Sequence, residues 1–547
     1  MSNLKSAYFY FLAIKINITK LLKKIYFTTN FYNNSLNSKS PSQFYFYPNP
    51  FLLSSLISHK NFMFNFSKIN LNEFWNKPPS IKQEKKLHDF FWLNLISRKN
   101  DGVTIQKIIN IWIDKNLKYK KTVWENTVIG KRIISWILNA EIILSSSDNS
   151  FKHNFLKSIV VQVNHLKNIY RYENNYSKKI EIICAILLSG LVFKDLKNNY
   201  DLAIKELKKI SEDFFDNDGF PQNRSPKDLL KFSKYFILVK ECIKDAQEYI
   251  PDFLDEIIDK NLLCIKSLKT PLNQLPLFNG SVELNLENYI TYIGGLNYKF
   301  GKSKYKIGNI QILKYKKNTV YFDVGTHPKK NISSDYQCGP LSFEFYSDDK
   351  KIITNCGFGN NISKKAILLS RLTSAQSTIC INDTSVIKFE RNKNLNAAYG
   401  NSIKGNFKIL SFEHNDNDQG IMSSASHNAY EKFYGYVHKR EIKINKKDES
   451  LLGYDVLIKK DKNIETKFNI RFHLNPGIEA VQTISGNSIL IHVNKNKSLI
   501  FLSPDETVSV EKSIFLGGNK ILNNLCINIS GNIKNDKKIK WEIRKEI

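Results

Sequence analysis

Ten histidines are the first residues to weigh for chemistry, because imidazole is the side chain that moves protons near neutral pH. Four stand in segments of unusual composition: His327 in Asp323-Val-Gly-Thr-His-Pro328, His427 in Ser426-His-Asn-Ala-Tyr430, His438 in Tyr436-Val-His-Lys-Arg440, and His473 in Arg471-Phe-His-Leu-Asn-Pro476. A single histidine more often completes a structural hydrogen bond than catalyses. The chain has no phosphate-cradling glycine loop, no His-Glu-x-x-His zinc pattern and no Gly-x-Ser-x-Gly nucleophile turn. Nucleotide, zinc-protease and serine-hydrolase chemistries therefore lack their signatures.

The elements that position these residues change character along the chain. Residues 1–60 are rich in Asn, Ser, Tyr and Phe, with Pro41, Pro48 and Pro50, and read as an irregular basic and aromatic leader. Within it, Ala7 to Ile14 has the length of a signal-peptide core. Lys15 follows, however, and no small-x-small cleavage site is evident. A membrane-surface role is the other reading of this segment. Residues 61–275 are expected to form a helical domain. Apolar residues recur at three- and four-residue steps in Phe155, Leu156, Ile159, Val160, Val163, Leu166 and Ile169, and Ile180 to Phe193 is apolar nearly all round. Further stripes lie at Leu229 to Val239 and Phe253 to Leu262. Short polar connections suggest antiparallel helix pairs.

Residues 276–547 switch to a period of two. Leu341 to Tyr346 alternates, turns at Ser347 to Lys350 and resumes at Ile352. Glu441 to Ile444 turns into Leu451 to Ile458. Ser488 to Val493 turns at Asn494 to Lys497 into Leu499 to Leu502. These are hairpins of an antiparallel sandwich. Helices followed by strands imply an all-α and then an all-β domain.

Composition bounds the partners. The chain has 547 residues, 42% hydrophobic, with 81 Lys and Arg against 51 Asp and Glu, a net charge of +30. Such a surplus favours polyanions, although a Lys-, Asn- and Ile-rich coding bias produces the same excess. No arginine-rich tract, zinc finger or RNA-binding aromatic motif is present, so a nucleic-acid partner is not expected. The seven cysteines include no Cys-x-x-Cys pair and sit in apolar runs, as buried thiols do. No uncharged apolar run reaches a membrane-spanning length.

Eight segments in order, Leu277 to Gly280, Phe322 to Gly325, Gly339 to Glu344, Asn355 to Gly357, Thr373 to Thr378, Ser426 to Tyr430, Gly435 to Arg440 and Arg471 to Pro476, resemble the C-terminal domain of the heparinase II/III-like family. Leu87 to Leu93, Trp124, Lys131 to Trp136, Asp218-Gly219 and Arg224-Ser-Pro226 extend the resemblance into the helical half. It implies an incomplete (α/α) toroid followed by an antiparallel β-sandwich. It also implies β-elimination of a uronic-acid-containing polysaccharide, with a location in the periplasm or cell envelope, while the lack of a clear signal peptide leaves the cytoplasm as the alternative. The site carried over comprises His427, Tyr430 and Arg224 as catalytic residues, and Asn174, Asn175, Gln376, His438 and Arg440 as substrate-binding residues. No cofactor is implied.

Three departures weaken the pattern. No histidine stands in Glu173 to Tyr176, where the family has an Asn-His pair. Lys227 and Asp228 follow Arg224-Ser-Pro226, where active members carry a Tyr. Gln376 replaces a histidine. A glutamine amide is no base near neutral pH and a poor transition-metal ligand, so no metal site is expected. The alternative is a non-catalytic glycan-binding or envelope protein on the same scaffold.

Overall fold

The computed structural model describes residues 2–57, 75, 81–95, 102–145, 147–460, 465–494 and 497–546. The chain divides into two compact units. One comprises Met1–Phe215, Leu230–Asp259 and Thr291–Tyr298. The other comprises Asp216–Leu229, Lys260–Ile290 and Lys299–Ile547.

The first unit is helical. Its long helices are α1 (Ser2–Phe27), α2 (Gly102–Asn116), α3 (Asn126–Leu138), α4 (Asn149–Ile169), α5 (Tyr176–Val192) and α6 (Lys197–Phe214). Most of α7 (Pro226–Asp245) belongs to it as well, and α8 (Asp252–Leu268) starts in it. The expected stripe in α4 is buried at Phe155, Leu156, Ile159, Val160, Val163, Leu166 and Ile169. α5 is buried continuously from Ile180 to Val192, as its all-round apolar sequence requires. The segment expected as an irregular leader differs. Neither Gly nor Pro occurs before Pro41, and Ser2–Phe27 form α1 without a breaker. Among the described residues no helix is long and apolar enough to cross a membrane.

The second unit is an antiparallel β-sandwich. In chain order its strands are β1 (Lys306–Ile307), β2 (Ile310–Tyr315), β3 (Asn318–Asp323), β4 (Phe343–Ser347), β5 (Lys350–Thr354), β6 (Ile379–Ile381), β7 (Lys388–Phe389), β8 (Ile403–Lys404), β9 (Ile409–Asn417), β10 (Gly420–His427), β11 (Tyr436–Asn445), β12 (Leu451–Lys459), β13 (Thr466–Leu474), β14 (Glu479–Gln482), β15 (Ser488–Asn494), β16 (Lys497–Leu502), β17 (Val508–Phe515), β18 (Leu522–Ile533) and β19 (Lys537–Lys545). One sheet runs β1-β2-β3-β4-β5-β13-β18-β17, with β6 on β13. The other runs β14-β15-β16-β19-β12-β11-β10-β9. The three expected hairpins are β4–β5, β11–β12 and β15–β16. Residues 495–496 of the third turn lie outside the described residues. Inward positions of both sheets, including Phe343, Phe345, Phe472, Ile491, Phe501 and Trp541, form one core. Trp541 stacks on Phe343 at 5.5 Å between ring centroids.

Candidate functional site

Cross-strand register assembles the centre of the site. β10 pairs with β11 so that His427 stands directly opposite His438, and β11 pairs with β12 so that Arg440 stands opposite Asp455. His427 Nε2 lies 3.2 Å from His438 Nδ1, and His438 Nε2 lies 2.7 Å from Asp455 Oδ1. The proton positions follow from the partners. The Ala429 backbone N–H donates to His427 Nδ1 at 3.2 Å, so in the neutral ring Nε2 carries the hydrogen and donates to His438 Nδ1. His438 Nε2–H then donates to the carboxylate. Burial, followed by the neighbouring His438 and Arg440, holds His427 well below the usual imidazole range. Burial also lowers His438, against the opposing pull of Asp455.

Asp455 accepts four hydrogen bonds. Besides His438, Arg440 Nε reaches Oδ1 at 2.8 Å, Arg440 Nη2 reaches Oδ2 at 3.0 Å, and Trp541 Nε1 reaches Oδ2 at 2.9 Å. The Arg440 and His438 partners outweigh burial and hold its carboxyl below the usual range. Arg440 Nη1 donates to the backbone carbonyls of Leu341 and Ser377, at 2.9 and 2.8 Å. One arginine on β11 thus ties its sheet to the segments that lead into β4 and β6 of the opposite sheet. Arg440, His438 and Asp455 are fully buried.

The other expected site residues are also occupied. Tyr430 is buried, its hydroxyl donates to Ile379 O at 3.1 Å, and burial pushes the phenol well above its usual range. Gln376 donates to Ser370 O at 2.8 Å, and Gln337 donates to the same carbonyl at 2.8 Å. Arg224 is 6% exposed and pairs with Asp323 at 2.6 Å, while its Nη1 donates to Thr326 O at 3.0 Å. A Cβ on Gly325 would lie 2.3 Å from Arg224 Nη2, so only glycine admits the guanidinium there. Asn174 and Asn175 are exposed in the helical unit, and Asn175 Oδ1 caps α5 by accepting from Lys178 N at 3.1 Å. Expected to touch substrate, His427, Tyr430, Gln376, His438 and Arg440 instead stand buried with their polar atoms turned to protein partners. Arg224 spends its charge on Asp323.

Two of these lead to a more accessible group. The Arg224 guanidinium holds Thr326, and the adjacent His327 ring packs on Phe407 at 5.4 Å. Phe407 in turn packs on His427 at 5.7 Å. His327 is half-buried, and its Nδ1 lies 2.9 Å from Pro328 O. A carbonyl only accepts, so Nδ1 carries the hydrogen and Nε2 keeps its lone pair.

Sequence reasoning missed Asp455, although its inward place in the alternation Leu451-x-Gly453-x-Asp455-x-Leu457 marks it as a charge among core positions. It also missed Glu181, the one carboxylate within the apolar run of α5. In the helical unit Glu181 is nearly buried, with Lys231 Nζ at 2.8 Å, Lys131 Nζ at 3.6 Å and the Tyr235 hydroxyl at 3.5 Å. Among the described residues no group of three or more His, Cys, Asp or Glu is placed to hold a metal ion.

A helical unit followed by an antiparallel β-sandwich matches the architecture of solved heparan sulfate and heparinase III lyases. Residues 301–542 match the family model "Heparinase II/III-like, C-terminal". Among solved structures, heparan sulfate lyase HepC from Pedobacter heparinus is similar, with 15% identity over 89% of this chain and 80% of that one and a TM-score of 0.62. A heparinase III is similar at 16% identity over 86% and 79%, TM-score 0.66. A second heparinase III gene product reaches a TM-score of 0.66 at 12% identity over 90% and 88%. No curated protein matches the sequence. The family resemblance and the fold class expected from the sequence both hold.

Proposed function

We propose that the protein is a carbon–oxygen lyase that cleaves an acidic, uronic-acid-containing polysaccharide by β-elimination. The observation that supports it is the two-part architecture, shared along 86–90% of the chain with a heparan sulfate lyase and two heparinases III. In this reaction a base takes the C5 proton, the freed electron pair forms the C4–C5 double bond, the C4–O bond breaks, and the departing oxygen takes a proton. Donors that neutralise the uronate carboxylate make the C5 proton removable.

In this reading His327 is the proton acceptor, because its Nε2 lone pair is uncommitted and its ring is partly open to solvent. Arg224 is a positioning residue that holds Thr326 beside it. His427, His438, Arg440 and Tyr430 are positioning residues behind Phe407. Asn174 and Asn175 offer exposed amides to the polymer in the helical unit, and the net charge of +30 draws the polymer in. The reading places the protein at the cell envelope or in the periplasm, where such polymers are accessible.

The test follows ultraviolet absorbance of the unsaturated product over a panel of uronic-acid polymers. At least one polymer is expected to yield product, and His327→Ala is expected to slow it by about 10²-fold or more with unchanged thermal unfolding. Folded native protein that yields no product from any polymer overturns the lyase reading. Full activity in His327→Ala overturns the assignment of the base.

A further inference from the structure

A second region of the β unit carries positive charge into a cavity. The outward-facing residues of β2 and β3, Ile312, Lys314, Thr319 and Tyr321, form its floor, while the alternate residues Leu313, Val320 and Phe322 face the core. The C-terminal end of α8 with the chain just beyond it, residues 303–305 and the turn at Asp348 and Asp349 form its walls. The cavity volume is about 640 Å³, the size of a small-ligand site. Its walls are tied together. The Tyr321 hydroxyl donates to Lys269 O at 3.0 Å, Lys304 N donates to Ser267 Oγ at 2.9 Å, and Ile312 N donates to Tyr305 O at 2.7 Å. The site is therefore formed before any ligand arrives.

Six lysines line it against two aspartates. Lys304 pairs with Asp218 at 2.7 Å, Lys316 with Glu449 at 2.7 Å and Lys317 with Asp348 at 3.2 Å. Lys266, Lys269 and Lys314 have no carboxylate partner within 4.0 Å among the described residues. Two of these ammonium groups stand on the end of α8 and the chain just beyond it and the third on β2, which suits a ligand whose negative charges are spaced along its length. No arginine lines the cavity to grip a compact phosphate in two-pronged fashion. Tyr305, 66% exposed, offers a ring against which the apolar face of a sugar can lie.

We propose that this pocket is an accessory binding site for a short stretch of acidic oligosaccharide, held by Lys266, Lys269 and Lys314 with Tyr305 as the stacking platform. The proposal rests on the reading that the protein acts on an acidic polysaccharide, and it adds a holding site separate from His327.

The test titrates fluorescently labelled heparin hexasaccharide, hexagalacturonate, maltohexaose and a single-stranded DNA hexamer into the full chain. It compares the native protein with two variants. One carries Lys266→Gln, Lys269→Gln and Lys314→Gln. The other carries Lys205→Gln, Lys208→Gln and Lys209→Gln on α6, exposed lysines of the helical unit. At least one acidic hexasaccharide is expected to bind the native protein, with Kd raised about tenfold or more by the pocket variant, less than about twofold by the control, and maltohexaose silent. The effect is expected to shrink as salt is added. The proposal is overturned if neither acidic hexasaccharide binds, if the pocket variant binds as tightly as native protein, or if it weakens DNA as much as the saccharides. Binding without unsaturated product from any polymer sustains the pocket and sinks the lyase. Turnover with native KM in the pocket variant sustains the lyase and sinks the pocket.

Discussion

At the scale of single residues, the β unit is organised around Asp455. It is the one carboxylate facing Arg440, His438 and the Trp541 N–H at once, and none of the four is exposed. Removing one partner of a buried ion pair leaves the other charged and dry, at a cost of about 3–5 kcal/mol. Asp455→Ala is therefore expected to destabilise the β unit by that amount, read as a lower midpoint in urea unfolding. A loss under about 1 kcal/mol would mean that Arg440 finds solvent or another acceptor. His427 and His438 were visible in the sequence as candidates, and so was Arg440. Their joint burial was not, because the spacing of 11 positions between the histidines says nothing of register until β10 and β11 pair. The same ignorance hid His327's advantage, since only packing shows which imidazole keeps an uncommitted nitrogen.

At the scale of elements, close approach between neighbouring strands sets what each position tolerates. Gly453 on β12 sits opposite Trp541 on β19. A Cβ there would fall 2.0 Å from Trp541 Cζ2. Gly453→Ala is expected to push the indole off Asp455 and Phe343 and to cost about 1–3 kcal/mol, measured as a fall in Tm with circular dichroism. An unchanged Tm would show that the Trp541 stack shifts freely. The elements themselves were legible. The stripe of α4, the all-round apolar α5 and the three hairpins follow from local period, because 3.6-residue and two-residue repeats need no knowledge of partners. α1 was not, because its Asn-, Ser-, Tyr- and Phe-rich composition resembles irregular chain, while what permits the helix is the absence of Gly and Pro before Pro41.

At the scale of the whole molecule, both units bury neutral imidazoles. Burial lowers His88 to about 3 in the helical unit and His473 to about 4 in the β unit, and it lowers His427 and His438 as well. Folded values below the unfolded value near 6.5 mean that the unfolded chain binds more protons in acid. The stability these groups contribute is present above about pH 6.5 and is lost as pH falls through the window down to about 4 for His473. Tm is expected to drop progressively across that window, and His473→Gln to make the drop shallower. A flat Tm from neutral pH to about 4 would contradict the burial of these rings.

The sequence by itself determined the order of helical and strand-rich parts, the basic surplus and the family resemblance, all of which rest on local period, composition or motif order. Only the tertiary structure decided which of the motif residues are spent holding the sandwich together and which stay available. Burial and pairing arise from segments far apart in the chain: Arg440 meets Leu341 and Ser377 in the segments that lead into β4 and β6, and Lys266 meets Lys314 across one cavity. A side chain's chemistry is set by what surrounds it, and no window of neighbouring residues contains those surroundings.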